Sequence, residues 1–260
     1  MKNTNILTVA ILKFSSIIVI LSLMIFWEIC IRYYQVPQYI LPSPTFIIIT
    51  LVNDWPILLP AMTNTLEVAF LGFLLASTGG IFIALVMSYS KIIQSTVLPL
   101  AIILQVTPIV AIAPLIVIYV DSTKVALLLC VWLVAFFPVL TNSIFGLNSI
   151  NADLIDLFKL YKASKFKTLV HLRVPNSIPS VVAGLKVSAG LSLIGAIVAE
   201  FAAGSGGSES GLAFRILEAG YRLNIPRMFA CLFLLAIIGI LFHKFIEFTS
   251  QRILIKYTFN

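Results

Sequence analysis

Charged side chains are scarce in this sequence of 260 residues, because only 10% of the positions are Asp, Glu, Lys or Arg. The surface of a soluble protein ordinarily requires about 25% of these residues. Apolar residues make up 60% of the chain, and the mean hydropathy is +1.10. This composition excludes a soluble globular protein and a disordered chain. It predicts an integral membrane protein, in which each helical crossing needs about 20 apolar residues.

Cysteine is also scarce, and Cys30, Cys130 and Cys231 lie far apart in apolar stretches. This spacing indicates neither a disulfide framework nor a metal site. The sequence lacks the Gly-Lys-Ser/Thr ending of a phosphate-binding loop. Neither His171 nor His243 has a neighbouring carboxylate or cysteine arrangement. We therefore expect no enzymatic activity, no catalytic residue, no metal and no cofactor bound by this chain.

Apolar runs separated by polar breaks predict an all-α protein with six transmembrane helices, in one membrane domain over residues 1–260. The predicted spans are residues 11–34, 61–87, 92–118, 125–147, 177–203 and 228–249. An even number of spans puts both termini on one side. With the termini in the cytoplasm, 12 of the 17 Lys and Arg residues lie on or next to that side and 5 lie outside, which is the usual distribution. The net charge of +7 therefore indicates orientation in a lipid membrane, and we expect no nucleic-acid partner.

Two outer segments are long enough to have structure of their own. In residues 36–60, Ser43 can cap a short helix with Pro44 at its first position. In residues 204–227, the Gly- and Ser-rich tract 204–211 has no Lys, so it predicts a flexible outer loop rather than a phosphate cradle. Either segment could contact an external partner.

Glu67 and Glu200 are the main two ionisable residues inside the apolar spans. Glu67 is near the outer end of the second span, and Glu200 is near the outer end of the fifth. Ionisable residues at membrane depth are usually paired, water-lined or functional. Two interpretations remain open for each glutamate: a functional role, and a side chain that simply extends to the membrane–water interface.

Small residues recur every four positions in the fifth span, at Gly184, Ser188, Ser192 and Ala196 and ending at Glu200. Such spacing lets another helix approach closely in a membrane. Two interpretations remain open: packing within one bundle, and a surface that faces a second subunit across a pathway.

The third span carries Gln105, Thr107, Pro108 and Pro114 within ten residues. Each proline removes a backbone hydrogen bond and kinks the helix, and freed carbonyls at membrane depth need protein or water as partners. This favours a helix that lines an interior path. Asn142 adds a polar group in the fourth span, where a structural hydrogen bond is as plausible as contact with a solute.

The loop of residues 151–175 is a sizeable polar segment on the predicted cytoplasmic side. Asn151 can cap a helix with Asp153 in its first turn, where a negative charge suits the helix dipole. An apolar face follows at Leu154, Leu157, Phe158 and Tyr161, with lysines around it. Such a segment could lie on anionic lipid or insert into a groove of another protein.

The stretch from Asp156 to Ser164, followed by Val174-Pro175, resembles the Glu-Ala-Ala loop of permease subunits of ATP-binding-cassette importers. Asp156 stands where the motif has Glu, Phe158 where it has the second Ala, and Lys162 where it has the central Gly. Ala163, Ser164 and Pro175 conform. Because Gly allows a bend that Lys at a positive φ resists, the position of the loop follows from the sequence, but its docking geometry is left open.

The resemblance extends over nearly the whole chain, and the order and spacing of its motifs carry it. The chain is similar to the nitrate, sulfonate, taurine and bicarbonate permease group, and within it to the branch that imports thiamine-precursor pyrimidines or riboflavin. The matching stretches are residues 41–44, 65–68, 72–73, 99, 105–108, 111–115, 136–138, 142, 146–147, 183–186 and 195–201.

The resemblance implies a bundle like that of type I importer permeases, in the bacterial inner membrane. It further implies a second copy of the permease as a homodimer, separate ATPase subunits that hold ATP and Mg, and an external solute-binding protein. The solute would be a pyrimidine vitamin precursor or riboflavin-like heterocycle, or a sulfonate-, nitrate- or taurine-like anion.

The family's functional regions can be transferred only to matching positions. Coupling to the ATPase would fall on Asp156, Leu157, Phe158, Lys162, Ala163, Ser164 and Pro175. The translocation path would involve Glu67, Gln105, Thr107, Pro108, Asn142, Ser188, Ser192 and Glu200. The alternative is a stand-alone proton-coupled transporter that uses Glu67 and Glu200 as proton relays.

Overall fold

The computed structural model describes residues 6–204 and 210–258, and each regular element in these ranges is helical. Residues 205–209, which belong to the predicted flexible outer loop, lie outside the described residues. The helices in chain order are α1 (Ile6–Tyr33), α2 (Pro44–Asn53), α3 (Trp55–Tyr89), α4 (Lys91–Val106), α5 (Ile109–Tyr119), α6 (Thr123–Asn148), α7 (Ala152–Leu160), α8 (Lys165–Thr168), α9 (Val174–Ala203), α10 (Leu212–Tyr221) and α11 (Ile225–Thr258).

The predicted all-α membrane class is confirmed. Within the described residues, four helical stretches are long and apolar enough to cross a membrane: Trp55–Tyr89, Thr123–Asn148, Lys165–Ala203 and Ile225–Arg252. The bent pair α4 and α5 makes a fifth if it counts as one span. The first predicted span corresponds to α1, but six crossings and cytoplasmic termini stay predictions.

The third predicted span, 92–118, is not one kinked helix. It consists of α4 and α5, whose axes differ by 95°. Thr107 ends α4 with an extended backbone at ψ 124°, because the residue before a proline is driven out of the helical region by the proline ring. Pro108 itself is extended at ψ 116°, whereas Pro99 and Pro114 remain inside their helices. The break therefore lies at the Thr107-Pro108 pair.

The fifth predicted span begins earlier than residue 177. Helical structure runs from Lys165 to Ala203, through the π-helical turn Leu169–Arg173 that directly precedes α9. Pro175 lies in the first turn of α9, where its ring would clash with the carbonyl four residues back in a regular α-helix. The wider turn just before Pro175 lets the chain continue as a helix, so the last part of the predicted loop belongs to this span.

The chain divides into two compact units. The first comprises Met1–Leu59 and Arg215–Phe233. Trp27 of α1 packs on the rings of Phe229 and Phe233, with centroids 5.9 and 6.2 Å away. The guanidinium of Arg227 donates two hydrogen bonds to the Asp54 carboxylate, at 2.6 and 2.9 Å. These contacts tie α1 and the end of α2 to the start of α11.

The second unit comprises Pro60–Phe214 and Leu234–Asn260, and its centre is the contact between α6 and α9. A Cβ at Gly184 would lie 2.8 Å from the Pro138 carbonyl oxygen and 2.9 Å from the Asn142 Cβ, so the two helices touch at that point. We call this contact the α6–α9 seam; it comprises Val131, Ala135, Pro138 and Asn142 of α6 with Gly184, Ser188 and Gly195 of α9.

Candidate coupling segment and translocation path

The cap predicted for the polar loop is present at the start of α7. The side chain of Asn151 accepts a hydrogen bond from the Asp153 amide at 3.1 Å. Asp153 lies in the first turn of α7, and Lys159 lies in the last, so both charges suit the helix dipole. The sequence fragment thus forms a short helix with its own start signal.

An apolar stripe on α7 is uncovered in the chain. Leu154 and Leu157 are 43% and 45% exposed, and Tyr161 just beyond the helix is 79% exposed. Phe158, from the same predicted face, is half-buried. Covering such side chains contributes about 25 cal/mol per Å² of apolar surface removed from water. The stripe is therefore a surface on which a partner would gain binding energy.

The turn that ends α7 contains Lys162, which stands where the family motif has its central Gly. Lys162 adopts the left-handed conformation, at φ 53°. Its amide donates to the Lys159 carbonyl at 2.9 Å, and the Ala163 amide donates to the Phe158 carbonyl at 3.0 Å. This pair of bonds is the Schellman helix ending, for which Gly is the favoured residue. The left-handed conformation costs a lysine about 1 kcal/mol in steric strain, and the two hydrogen bonds offset this cost.

The next helix, α8, has its own N-terminal cap directly after this turn. Ser164 caps α8, and its hydroxyl accepts a hydrogen bond from the Lys167 amide at 3.3 Å. Asp156 forms an exposed ion pair with Lys159 at 2.8 Å. We use the term coupling segment for residues 151–164. Its backbone is closed by caps at both ends, while Leu154, Leu157 and Tyr161 are left open.

Three of the predicted path residues lie at the corner between α4 and α5. Gln105, Thr107 and Pro108 are exposed in the single chain. The Thr107 hydroxyl donates to the Ile103 carbonyl of its own helix at 2.8 Å. The corner therefore presents one free amide side chain and a turn of extended backbone.

Three others belong to the bundle interior. Asn142 is half-buried and donates to the Pro138 carbonyl at 2.8 Å. Ser188 is fully buried and donates to the Ala135 carbonyl across the α6–α9 seam at 2.7 Å, and Ser192 donates to Ala189 of its own helix at 2.8 Å. The row of small residues on α9 thus packs within one chain, the first of its two interpretations. These three polar side chains use their donors in structural hydrogen bonds.

Glu200 is the centre of a buried hydrogen-bond network. It is 5% exposed, accepts from the Thr65 hydroxyl at 2.7 Å and accepts from the Ala213 amide at 2.9 Å. The Thr65 hydroxyl in turn accepts from the Leu212 amide at 2.8 Å. A Cβ at Gly211 would collide with the Glu200 carboxylate. The network holds the first turn of α10 against α3 and α9.

Thr65 was not singled out from the sequence, although it lies two positions before Glu67 in a matching stretch. A threonine 135 positions away gives no local signal for pairing with Glu200. Glu67 differs from Glu200 in being half exposed and in forming a 2.7 Å ion pair with Lys124. The structure does not bring the two carboxylates into one network.

The outer segment around α10 carries its own charge cluster. The Arg215 guanidinium donates to the Glu218 carboxylate at 2.7 Å, and Arg222 contacts the same carboxylate at 3.0 Å. The hydrogen bond from Arg215 holds the pKa of Glu218 below its ordinary value. Glu218 is therefore an anion at neutral pH and holds two arginines beside α10.

Comparison with known proteins identifies the family. Residues 76–255 match the model of the binding-protein-dependent transport system inner membrane component. The chain belongs to this family. The match covers α4 and α5, the α6–α9 seam and the whole coupling segment, and the resemblance inferred from the motifs is confirmed.

Three relatives have nearly the same length. A protein of Haemophilus influenzae named "Probable ABC transporter permease protein" is 30% identical, over 88% of this chain and 92% of its own. The formylaminopyrimidine transport permease of Halalkalibacterium halodurans is 31% identical, over 85% and 87%. The riboflavin transport system permease of Chloroflexus aurantiacus is 26% identical, over 85% and 82%.

The protein is thus a permease subunit of an ATP-binding-cassette importer, and it is a multi-pass protein of the bacterial inner membrane. A permease of this family works with ATPase and solute-binding partners. Its role is transport.

Proposed function

We propose that this permease forms the membrane path of the importer as a homodimer, with the termini and the coupling segment in the cytoplasm. Separate ATPase subunits bind ATP and Mg and hydrolyse ATP. The coupling segment docks into them and transmits their closure to the spans. The path carries a small polar solute that an external binding protein delivers.

The observation that carries this proposal is the open apolar stripe on α7. Leu154, Leu157 and Tyr161 remain exposed beside a backbone that needs no partner, because Asn151 caps one end and the turn at Lys162 closes the other. A rigid element of this kind moves together with the protein that binds its side chains. It can therefore shift the spans between two states if the ATPase binds it differently in each.

The experiment replaces Leu154 and Leu157 together with Ser in the complete importer, reconstituted in nanodiscs. We expect loss of the stimulation of ATPase activity by loaded binding protein, since the docking surface loses its apolar contacts. The melting temperature of the permease should not fall, because both side chains are about half exposed. Phe248→Ser on α11 is the matched control, because Phe248 is 55% exposed and lies outside the coupling segment.

Normal stimulation in the Leu154/Leu157 variant, or equal loss in the Phe248 control, would overturn the coupling role. Transport that persisted without ATP and collapsed with the proton gradient would support the alternative carrier, with Glu67 and Glu200 as relays.

The second copy of the permease has a suitable surface on the outer side of α9. Ala183, Val187, Gly190 and Ile194 form an exposed stripe on a different face of α9 from the α6–α9 seam. A Cβ at Gly190 would meet nothing within 4 Å, which leaves room for another helix to approach closely. Gln105 and Thr107 at the exposed α4–α5 corner supply polar contacts for a solute in the path between two copies.

The binding protein would be received by the outer segments 36–60 and 204–227, where Glu218 and its arginines offer fixed charges. We propose a pyrimidine- or flavin-like heterocycle as the solute, on the strength of the names of two relatives. Mass spectrometry of the ligand that the importer's own binding protein retains tests this. A sulfonate- or nitrate-like anion in that protein would replace the heterocycle and leave the permease role intact.

A further inference from the structure

A large cleft opens at the end of the helices where the coupling segment lies. Its volume is about 1200 Å³, and its walls come from the turn between α3 and α4, the end of α6, and the segment from α7 to the π-helical turn. All of these walls belong to the second compact unit. Four of the lining residues are cations: Lys91, Lys159, Lys165 and Arg173.

The chemistry of this cleft suits a phosphate group. None of the described residues that line it is acidic, although Lys159 also pairs with Asp156 from outside the lining set. Arg173 is fixed at the edge, because its Nη1 donates to the Ser88 carbonyl at 3.2 Å. Hydroxyl and amide donors stand among the cations, at Ser90, Gln94 and Asn148. The hydroxyls of Ser95 and Thr168 also line the cleft, but they donate to backbone carbonyls of their own helices. Charge-assisted hydrogen bonds from such a set favour a phosphate oxygen over a neutral ligand.

A second cavity adjoins the cleft and has the opposite character. This groove, of about 490 Å³, lies between α4 and α6, and its walls include Ile102, Ile144 and Phe145. Leu98 and Asn148 line both cavities, so the cationic cleft continues into an apolar channel. Since α4 and α6 belong to candidate membrane spans, the groove extends along the hydrocarbon region.

We infer that the cleft and the groove together bind one anionic phospholipid, with its phosphate among the four cations and an acyl chain along Leu98, Ile102 and Phe145. Basic pockets between membrane helices are a recurring form of headgroup site. A free phosphate ion would use the cleft alone and leave the groove empty. The lipid would join the α3–α4 turn to the inner side of α7, since Ile155 and Lys159 line the cleft while Leu154 and Leu157 lie on another side of the helix.

The test uses the full-length chain in detergent and native mass spectrometry. Phosphatidylglycerol, phosphatidylcholine and inorganic phosphate are the probes. We expect retention of phosphatidylglycerol over phosphatidylcholine, and no displacement by millimolar phosphate. The double variant Lys91→Gln with Arg173→Gln should bind phosphatidylglycerol about 30-fold more weakly, at roughly a fivefold loss for each cation near a lipid surface.

The matched control removes two cations elsewhere, as Lys244→Gln with Arg252→Gln on α11, and should keep its affinity. The charge-preserving variant Lys91→Arg with Arg173→Lys should restore most of the binding, which separates a headgroup role from a folding defect. Equal retention of both lipids, or equal loss in the α11 control, would overturn the site. Displacement by phosphate alone would assign the cleft to a free anion and overturn the lipid. Because lipid retention is measured without ATPase or binding protein, it is independent of the coupling role proposed above.

Discussion

The α6–α9 seam and the coupling segment differ in how far their side chains are buried and hydrogen-bonded within the chain. In the seam, glycines bring the backbones of two helices together, and the Ser188 hydroxyl is bonded across the contact. In the coupling segment the backbone is closed by caps, but Leu157 and Tyr161 stay exposed. The seam buries its side chains and pairs its polar groups within one chain. In the coupling segment only the backbone at the ends of α7 is hydrogen-bonded, and apolar side chains remain exposed. The difference separates residues that hold the bundle from residues whose apolar side chains stay exposed in the single chain.

The largest effect is expected from added side-chain volume in the α6–α9 seam. Gly184→Leu should lower the free energy of unfolding by about 3 kcal/mol, because its side chain meets the backbone carbonyl of Pro138. Gly190→Leu on the same helix is the matched control. It enters open space and should raise stability by about 1 kcal/mol through helix propensity. Thermal unfolding of the purified chain in detergent measures both, and equal effects would refute the seam.

Glu200 and Glu67 differ in burial, so replacing each of them should lower stability by different amounts. Glu200→Ala should cost about 2 kcal/mol, because the Thr65 hydroxyl and the Ala213 amide both lose their buried acceptor. Glu67→Ala should cost under about 1 kcal/mol, as its ion pair with Lys124 is half exposed. The same unfolding experiment ranks the two variants, and a larger loss for Glu67 would contradict the network.

A small stabilising effect is expected at the end of α7, within the coupling segment. Lys162→Gly should raise stability by about 1 kcal/mol, because glycine adopts the left-handed conformation without steric cost. Lys159→Gly, three residues earlier inside the helix, should lower it by a similar amount. Hydrogen exchange at the amides of Lys162 and Ala163 gives the local readout. Faster exchange of these amides in Lys162→Gly would contradict the account of strain.

Structural features that depend on neighbouring residues were predicted correctly from the sequence. Asn151 and Ser43 cap their helices as predicted, with the Asp153 and Phe46 amides as donors, because a cap is decided within three residues. Within the described residues, apolar run length located four helical stretches that are long and apolar enough to cross a membrane, since hydrocarbon thickness sets that length. The family followed from the order of short motifs along the chain.

What could not be predicted depends on distant partners or on competing local terms. The prolines indicated a disturbed third span, but the 95° angle depends on how α5 packs beyond Pro108. The partners of Glu200 come from α3 and α10, which no pattern near Glu200 indicates. At Lys162 the steric cost of a side chain was known, but it is outweighed by two backbone hydrogen bonds that close the helix.

Glu200 holds both ends of the connection between α9 and α10. Its backbone carbonyl accepts the Gly204 amide at 3.1 Å, and its side chain accepts the Ala213 amide at 2.9 Å. The stretch that leaves α9 and the stretch that enters α10 are therefore anchored to a single residue. We therefore expect insertions or deletions within residues 205–209 to leave the bundle unchanged, whereas a side chain at Gly211 would displace the Glu200 carboxylate. The length of the connection can thus vary among related permeases, while its last residues before α10 cannot.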